Sequence, residues 1–207
     1  LVLGEQFCDQ VFALGEDPAG YLWVGTPSGL GKYDWNTWTM WDINNSTLTS
    51  HHITAIAIGS NNIKRIGTLN GGLYYYNDTT FTNYSYWLGT FPENTISAID
   101  IDNTGKPWIS MPSSGIIVHL GGPAWNWLHM ATCAIQTDAI SHLQIDNAQN
   151  KYLCSQNKGF ITYIGNTWTN YDSTNSPFPD SWATYSIKDT AGILWIGTLA
   201  EGLVELD

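Results

Sequence analysis

Basic residues are scarce in this sequence of 207 residues: seven Lys and Arg stand against 18 Asp and Glu, a formal net charge of −11 at pH 7. Proteins bind phosphate backbones and anionic membrane surfaces through clusters of Lys and Arg. The charge therefore speaks against nucleic acid and anionic lipid as partners. No apolar run approaches the roughly 20 residues that a helix needs to cross a bilayer, so we expect no membrane insertion.

Cysteine is rare too, with only Cys8, Cys133 and Cys154 in the chain. A disulfide between two of them stays open, and the odd count leaves one thiol over. No signal peptide is recognisable, and the start at Leu1 is typical of a processed product or an excerpt. Abundant Asn, Ser, Thr and Trp with few Lys favour an exported protein, which predicts an extracellular, cell-surface or periplasmic location.

Signatures of catalysis are missing as well. The chain has no Gly-x-Ser-x-Gly, His-Glu-x-x-His or Cys-x-x-Cys motif and no phosphate-binding loop. Its five His residues show no spacing that would place two zinc ligands on one strand face. We therefore expect no enzyme, no metal and no cofactor.

What the sequence does contain is one phrase repeated five times. It reads Leu-Trp-Ile-Gly-Thr at 194–198 and Leu-Trp-Val-Gly-Thr at 22–26, each followed by a turn and Gly-Leu. A period of 40–50 residues is typical of a propeller or solenoid, because each repeat buries its faces only against its neighbours. The aligned positions are 42, 43, 44 and 43 residues apart, at Gly25, Gly67, Ser110, Cys154 and Gly197.

Each repeat predicts four strands. The second strand is the phrase itself, and the third runs from its Gly to an aromatic residue. Between the first and second strands, Asp17, Asp102, Asp146 and Asp189 cap turns, which we interpret as structural and not as calcium loops. The fourth strands carry the aromatics Trp38, Phe81, Trp125 and Trp168. The first strands are short and apolar, at 11–14, 53–56, 96–99, 140–143 and 183–186.

The sequence thus predicts an all-β fold, a single five-bladed β-propeller over residues 1–207 with four-stranded blades and a repeat of about 43 residues. The last repeat stops after its third strand. We expect residues 1–7 to supply the fourth, because closure removes exposed sheet edges; the alternative is a protein that continues past one end. The predicted blades cover about 11–45, 53–88, 96–131, 140–173 and 183–207.

The phrase Asp-x-x-Gly-x-Leu-Trp-Ile-Gly-Thr-x-x-x-Gly-Leu resembles the two-component regulator propeller repeat. It is intact at 189–203 and nearly so at 17–30, and weaker in the middle copies. In that family the repeats build periplasmic sensor regions of bacterial hybrid histidine kinases, often tuned to oligosaccharides, and occur in surface proteins. The resemblance implies a binding propeller, and five copies favour a free-standing module over a kinase sensor.

Ligand-binding residues are expected on the loops that join the second to the third strand and the fourth to the next first strand, where length and sequence vary. Five Trp residues lack a counterpart in every repeat and are typical of sugar-stacking or protein-binding surfaces: Trp35, Trp41, Trp87, Trp127 and Trp182. The predicted ligand-binding residues are His51, His52, Trp87, Asn94, Asp138, His142, Asn157, Trp182, Tyr185 and Glu201.

These features predict a non-enzymatic binding module outside the cytoplasm, with a protein partner or a structural role in a surface or envelope assembly. The alternative is a glycan-binding or sensor domain. A glycosidase would need two or three carboxylates converging from the innermost strands. Asp100 is the single acid there, since its equivalents are Gly15, Ala57, Gln144 and Ile187.

Overall fold

The computed structural model describes residues 10–179 and 182–206. Over these ranges the chain forms 19 strands and one short 3₁₀ helix. No helix in the described ranges is long and apolar enough to span a bilayer. The chain forms two compact units, Leu1–Ser97 and Ala98–Asp207. The single domain over 1–207 and the five blade ranges stay predictions.

The unit Leu1–Ser97 contains two antiparallel sheets in which each strand pairs with its neighbour in sequence. A 3₁₀ helix, Tyr86–Leu88, follows the last strand. The first sheet comprises β1 (Ala13–Glu16), β2 (Leu22–Thr26), β3 (Gly29–Tyr33) and β4 (Trp38–Trp41); the second comprises β5 (Ile53–Ile58), β6 (Lys64–Thr68), β7 (Leu73–Tyr76) and β8 (Phe81–Tyr84).

The unit Ala98–Asp207 contains three sheets of the same kind. The third comprises β9 (Ala98–Ile101), β10 (Pro107–Met111), β11 (Gly115–Gly121) and β12 (Ala124–Leu128); the fourth β13 (Ile140–Ile145), β14 (Lys151–Ser155), β15 (Phe160–Ile164) and β16 (Thr167–Tyr171); the fifth β17 (Ala183–Lys188), β18 (Leu194–Thr198) and β19 (Leu203–Leu206). The fifth sheet has three strands within the described residues. The predicted closing strand at residues 1–7, and Cys8, lie outside them.

The predicted first strands began too early in two sheets. β9 starts at Ala98 instead of Ile96 and β1 at Ala13 instead of Val11. The amide of Ile96 donates to the carbonyl of Thr68 in the second sheet, so this amide does not pair with β10 of the third sheet. The apolar run of the sequence is therefore longer than the paired strand.

In the four sheets that have four described strands, a pair of aromatic rings joins the third strand to the fourth. Tyr33 and Trp38 are directly opposite in the ladder, with ring centroids 4.7 Å apart. The same cross-strand pair recurs in the next three sheets, at 4.1 Å for Tyr76–Phe81, 4.2 Å for His119–Trp125 and 4.4 Å for Tyr163–Trp168. Such pairs stabilise an antiparallel ladder, so the repeated aromatics hold the third and fourth strands of these four sheets together.

The cores lie between consecutive sheets within each unit. Trp23 of β2 is 0% exposed and packs with Ile53, Ile66 and Tyr76 of the second sheet. Leu153 and Ile161 of the fourth sheet pack with Trp108 of the third, and Ala183 and Ile196 of the fifth pack with Tyr152 of the fourth. The sheets therefore bury their faces against their neighbours, as a repeat architecture requires.

Two glycines of the repeated phrase make room for an isoleucine side chain from the segment that follows their sheet. A Cβ added to Gly25 would lie 2.7 Å from Ile53 Cγ2, and one added to Gly67 would lie 2.6 Å from Ile96 Cγ2. Both distances are shorter than carbon atoms tolerate, so the close approach requires glycine. Cys154 occupies the same place in the fourth sheet and is fully buried, as the sequence predicted.

Candidate functional site

The loop after β8 carries the most exposed tryptophan among the described residues. Trp87 is 76% exposed and belongs to the 3₁₀ helix Tyr86–Leu88, whose three side chains all project into solvent. It lies at the end of the sheet where the sequence predicted binding. This aromatic turn is the candidate interaction site of the unit Leu1–Ser97.

The backbone beneath Trp87 is held in place. The Tyr86 amide donates a hydrogen bond of 2.7 Å to Asn94 Oδ1, and the carbonyl of Ser85 accepts from Leu88, Thr90 and Phe91. Phe91 is buried, which anchors the far end of the loop. The exposed indole is therefore presented on a fixed backbone.

Asn94 was predicted as a ligand-binding residue, but its side-chain oxygen accepts the hydrogen bond from the Tyr86 amide. Asp138 in the third sheet's loop repeats that role: its Oδ1 accepts from the Met130 amide at 2.7 Å. Asn157 Oδ1 accepts from Thr137 Oγ1 at 2.7 Å. These three side chains hold their own loops, and their part in ligand binding stays a prediction.

The two adjacent histidines, His51 and His52, lie half-buried before β5. The ring of His52 lies 4.7 Å from that of Phe12, and the backbone carbonyl of His52 accepts from the Leu69 amide.

Two further predicted residues, Trp182 and Glu201, lie at the fifth sheet. Trp182 is exposed, and its carbonyl accepts from the Leu199 amide. The Glu201 amide donates to Thr198 Oγ1.

His142 and Tyr185 are the one predicted pair whose rings the structure places in contact, with centroids 3.9 Å apart. His142 Nδ1 accepts from the Ser186 amide at 3.4 Å, so this nitrogen carries no proton. Burial lowers the pKa of His142 to about 4. The imidazole is therefore neutral at physiological pH and joins the fourth sheet to the fifth.

Asp100, the single innermost acid, has both carboxylate oxygens engaged. Its Oδ1 accepts from the Ile101 amide and its Oδ2 from the Ile145 amide, each at 2.7 Å. Burial raises the pKa of Asp100, although these two amides act to lower it. The carboxylate therefore links the third sheet to the fourth.

A polar cleft of about 610 Å³ opens in the unit Ala98–Asp207, between the turn after β13 and the turn after β17. Gln144, Asp146, Lys188 and Asp189 line it. Gln144 Oε1 is buried without a hydrogen-bond partner among the described residues. This cleft lies at the opposite end of the strands from the predicted loops, and none of the ten predicted residues lines it.

Lys188 and Asp146 form an ion pair in this cleft. Lys188 Nζ lies 2.9 Å from Asp146 Oδ2, which also accepts from the Tyr152 hydroxyl. Burial would raise the pKa of Asp146, but hydrogen bonds from Lys188, Asn150 and Tyr152 lower it to about 2. The cleft was not predicted from the sequence, in which Lys188, a cation close to the turn residue Asp189, was the available signal.

Two other sequence expectations change with the structure. Trp41, considered a surplus aromatic, stacks on Trp23 with ring centroids 5.5 Å apart and packs against the core. Trp195, expected to be buried like Trp23, is only half-buried. Cys133 and Cys154 are free cysteines, which rules out a disulfide between these two.

Comparison with known proteins identifies the class. A model described as the two-component regulator propeller matches residues 6–28. A comparison with curated proteins finds no match. The extracellular domain of a protein classed as a hybrid two-component system from B. thetaiotaomicron superposes with a TM-score of 0.83 at 23% identity, over 96% of this chain and 28% of that one.

Two further structures are similar. PorZ, a surface component of the type IX secretion system of Porphyromonas gingivalis, gives a TM-score of 0.70 at 16% identity, over 96% of this chain and 32% of PorZ. Virginiamycin B lyase of Staphylococcus aureus, an enzyme, gives 0.70 at 11% identity, over 95% of this chain and 69% of the lyase. This chain spans less than a third of the first two.

The fold is thus that of a β-propeller, as the sequence predicted. More particularly, the resemblance to the two-component regulator propeller repeat is confirmed, with residues 6–28 matching the repeat model. Similar structures include regulator domains and a surface component as well as one lyase.

Proposed function

We propose that this chain is a non-enzymatic binding module that acts outside the cytoplasm and engages a protein partner through the turn Tyr86–Leu88. The observation that carries the proposal is the exposure of Trp87, 76%, on a backbone fixed by Asn94 and Ser85. Tryptophan is enriched among the residues that dominate binding energy at protein interfaces. A fixed backbone lowers the entropy lost on binding.

The location outside the cytoplasm rests on similarity. The B. thetaiotaomicron domain is extracellular, and PorZ is a surface component. A high Asn, Ser and Thr content and few Lys agree with export. The protein partner, as in an envelope assembly, is preferred because the exposed turn is apolar, with Tyr86 and Leu88 flanking Trp87.

The absence of catalysis is part of the same proposal. Both oxygens of Asp100 accept backbone hydrogen bonds, which gives this carboxylate a structural role between the third and fourth sheets. His142, in the innermost strand of the fourth sheet, has an unprotonated Nδ1 that already accepts the Ser186 amide. Both side chains join neighbouring sheets, and we assign neither of them a catalytic role.

The test is a comparative capture experiment. Wild type, Trp87→Ala and Trp35→Ala are immobilised and exposed to surface proteins of the native source, and bound proteins are quantified by mass spectrometry. Trp35 is the matched control, because it is 64% exposed but lies in the turn between β3 and β4, at the other end of the strands. We expect a partner retained by wild type and Trp35→Ala and lost by Trp87→Ala. Equal capture by all three contradicts the proposal.

A second candidate, glycan binding, is favoured by the polar cleft. Gln144 Oε1 lacks a partner there, and Lys188 and Asp146 add charged groups, which suits a small polyhydroxylated ligand. A glycan array read with wild type, Gln144→Ala and Trp182→Ala tests it. Binding lost in Gln144→Ala assigns the cleft, binding lost only in Trp182→Ala assigns the loops, and a silent array contradicts glycan binding.

A further inference from the structure

A contact of four side chains joins the first sheet to the second and recurs between the third and the fourth. Between the first and second sheets, Trp23 Nε1 donates to Asp17 Oδ2 at 2.9 Å. Lys64, the first residue of β6, places its Nζ 4.9 Å from the Trp23 ring centroid and 3.9 Å from Asp17. The Tyr76 ring completes the contact, 6.0 Å from that of Trp23. One sheet supplies Asp and Trp, and the next supplies Lys and Tyr.

The third and fourth sheets repeat the arrangement. Trp108 Nε1 donates to Asp102 Oδ2 at 3.3 Å. Lys151, the first residue of β14, lies 4.7 Å from the Trp108 ring, and the Tyr163 ring lies 6.4 Å away. Between the fourth and fifth sheets, Tyr152 takes the place of Trp and donates to Asp146, and Lys188 comes from the end of β17. A cation over an aromatic ring with a carboxylate beside it is favourable when partly desolvated.

The fifth sheet carries the first half of this contact again. Trp195 Nε1 donates to Asp189 Oδ2 at 3.0 Å. Over residues 10–179 and 182–206, however, no lysine lies over the Trp195 ring and Asp189 forms no ion pair. Trp195 is half-buried and Asp189 is exposed, unlike Trp23 and Asp17.

Apolar side chains surround this unfilled half. Ile187, which is 53% exposed, pairs with Trp195 in the ladder, and Leu203, which is 65% exposed, pairs with Gly197. A Cβ added to Gly197 would meet only Thr184 and Tyr185 of its own sheet, whereas Gly25 is filled by Ile53 of the next one. We call the surface formed by Ile187, Asp189, Trp195 and Leu203 the fifth-sheet face.

We propose that the fifth-sheet face docks a further repeat sheet that presents a lysine opposite Asp189 and an aromatic residue against Trp195. The lysine stands at the first position of that sheet's second strand, as Lys64 and Lys151 do, or at the end of its first strand, as Lys188 does. Its ammonium group lies over the Trp195 ring and pairs with Asp189. An apolar residue like Ile53 fills the space at Gly197.

The first sheet of a second copy is a poor occupant. At the place of Lys64 and Lys151 it has Leu22, and at the place of Lys188 it has Glu16. Glu16 would face Asp189 with like charge, which destabilises a partly buried contact. The charges therefore favour a repeat sheet with lysine over self-association.

The test extends the full chain after Leu206 by a copy of residues 34–95, which supplies a fourth strand and a second-sheet repeat with Lys64. Three matched versions are compared: the extension as it is, with Lys64→Met in the appended copy, and with Trp195→Ala in the fifth sheet. Amide hydrogen exchange of β17–β19 is the readout. We expect exchange slowed by at least about tenfold in the first version, and less in the other two.

Two results overturn the proposal. Exchange in β17–β19 that is the same with and without the extension shows that the face does not dock such a sheet. Equal protection by the Lys64→Met copy shows that the lysine is not recognised. Sedimentation of the chain without extension adds an independent reading: a dimer dispersed by Trp195→Glu would assign the face to a second copy and contradict the proposal.

Discussion

Trp23 donates its indole N–H to the carboxylate of Asp17, six positions earlier, at 2.9 Å. Burial would raise the pKa of Asp17, but hydrogen bonds from Trp23 and from the amides of Tyr21 and Ala19 lower it. The bond fixes the turn between the first two strands and orients the indole toward the next sheet. The repeat is therefore a unit of contact between sheets as well as a unit of sequence.

The cost of removing this tryptophan depends on whether a following sheet covers it. Trp23→Ala deletes a fully buried side chain and should lower the free energy of unfolding by about 3–5 kcal/mol. Trp195→Ala deletes a half-buried one, and we expect a loss below about 2 kcal/mol. Urea unfolding followed by circular dichroism measures both. Equal losses would show that burial by the next sheet is not what distinguishes them.

Lys64 is a buried cation whose partners are Asp17 and Asp78. Lys64→Met keeps the length of the side chain and leaves the buried Asp17 without its cation, which should cost about 3 kcal/mol of unfolding free energy. Lys158→Met, at an exposed position, is the control and should stay within about 0.5 kcal/mol of wild type. A Lys64→Met protein as stable as the control would contradict a role for the lysine between the sheets.

His142 should make stability depend on pH in a defined window. Its pKa is lowered to about 4 by burial, from an ordinary value near 6.5. The folded state favours the neutral ring, so its contribution is complete above about pH 6.5 and is lost as pH falls toward 4. His142→Gln should remove this part of the pH profile. An NMR titration of the His142 ring with a midpoint near 6.5 would contradict the burial.

Much of the fold could be predicted because the repeated phrase is regular. The spacing from Gly25 to Gly197 fixed the number of sheets, and the aromatics near Trp38 and Trp168 marked the fourth strands. The ends of the first strands were less predictable, because the hydrogen bond of Ile96 goes to the neighbouring sheet and not to its own. The repeat pattern also predicted equal burial for Trp23 and Trp195, although the burial of each depends on whether another sheet covers it.

The candidate site was predictable only in part. Trp87 was indicated because it lacks a counterpart in the other repeats, and it is exposed. The 3₁₀ turn that presents it depends on the bond from Tyr86 to Asn94, which has no pattern in sequence. The amide of Asn157 looked free for a ligand but holds Thr137. Whether a polar loop side chain is free to bind a ligand depends on the hydrogen bonds that it makes within the fold, and residue type alone does not predict these bonds.

The central claim, that Gly25 and Gly67 make room for an isoleucine side chain of the segment that follows, is tested most directly by one set of alanine variants. Gly25→Ala and Gly67→Ala place a Cβ 2.7 and 2.6 Å from Ile53 and Ile96, so each should lower the free energy of unfolding by about 1–3 kcal/mol. Gly197→Ala meets no following sheet among the described residues and should stay within about 0.5 kcal/mol of wild type. A loss at Gly197 as large as at the other two, or no loss at any of them, would contradict the claim.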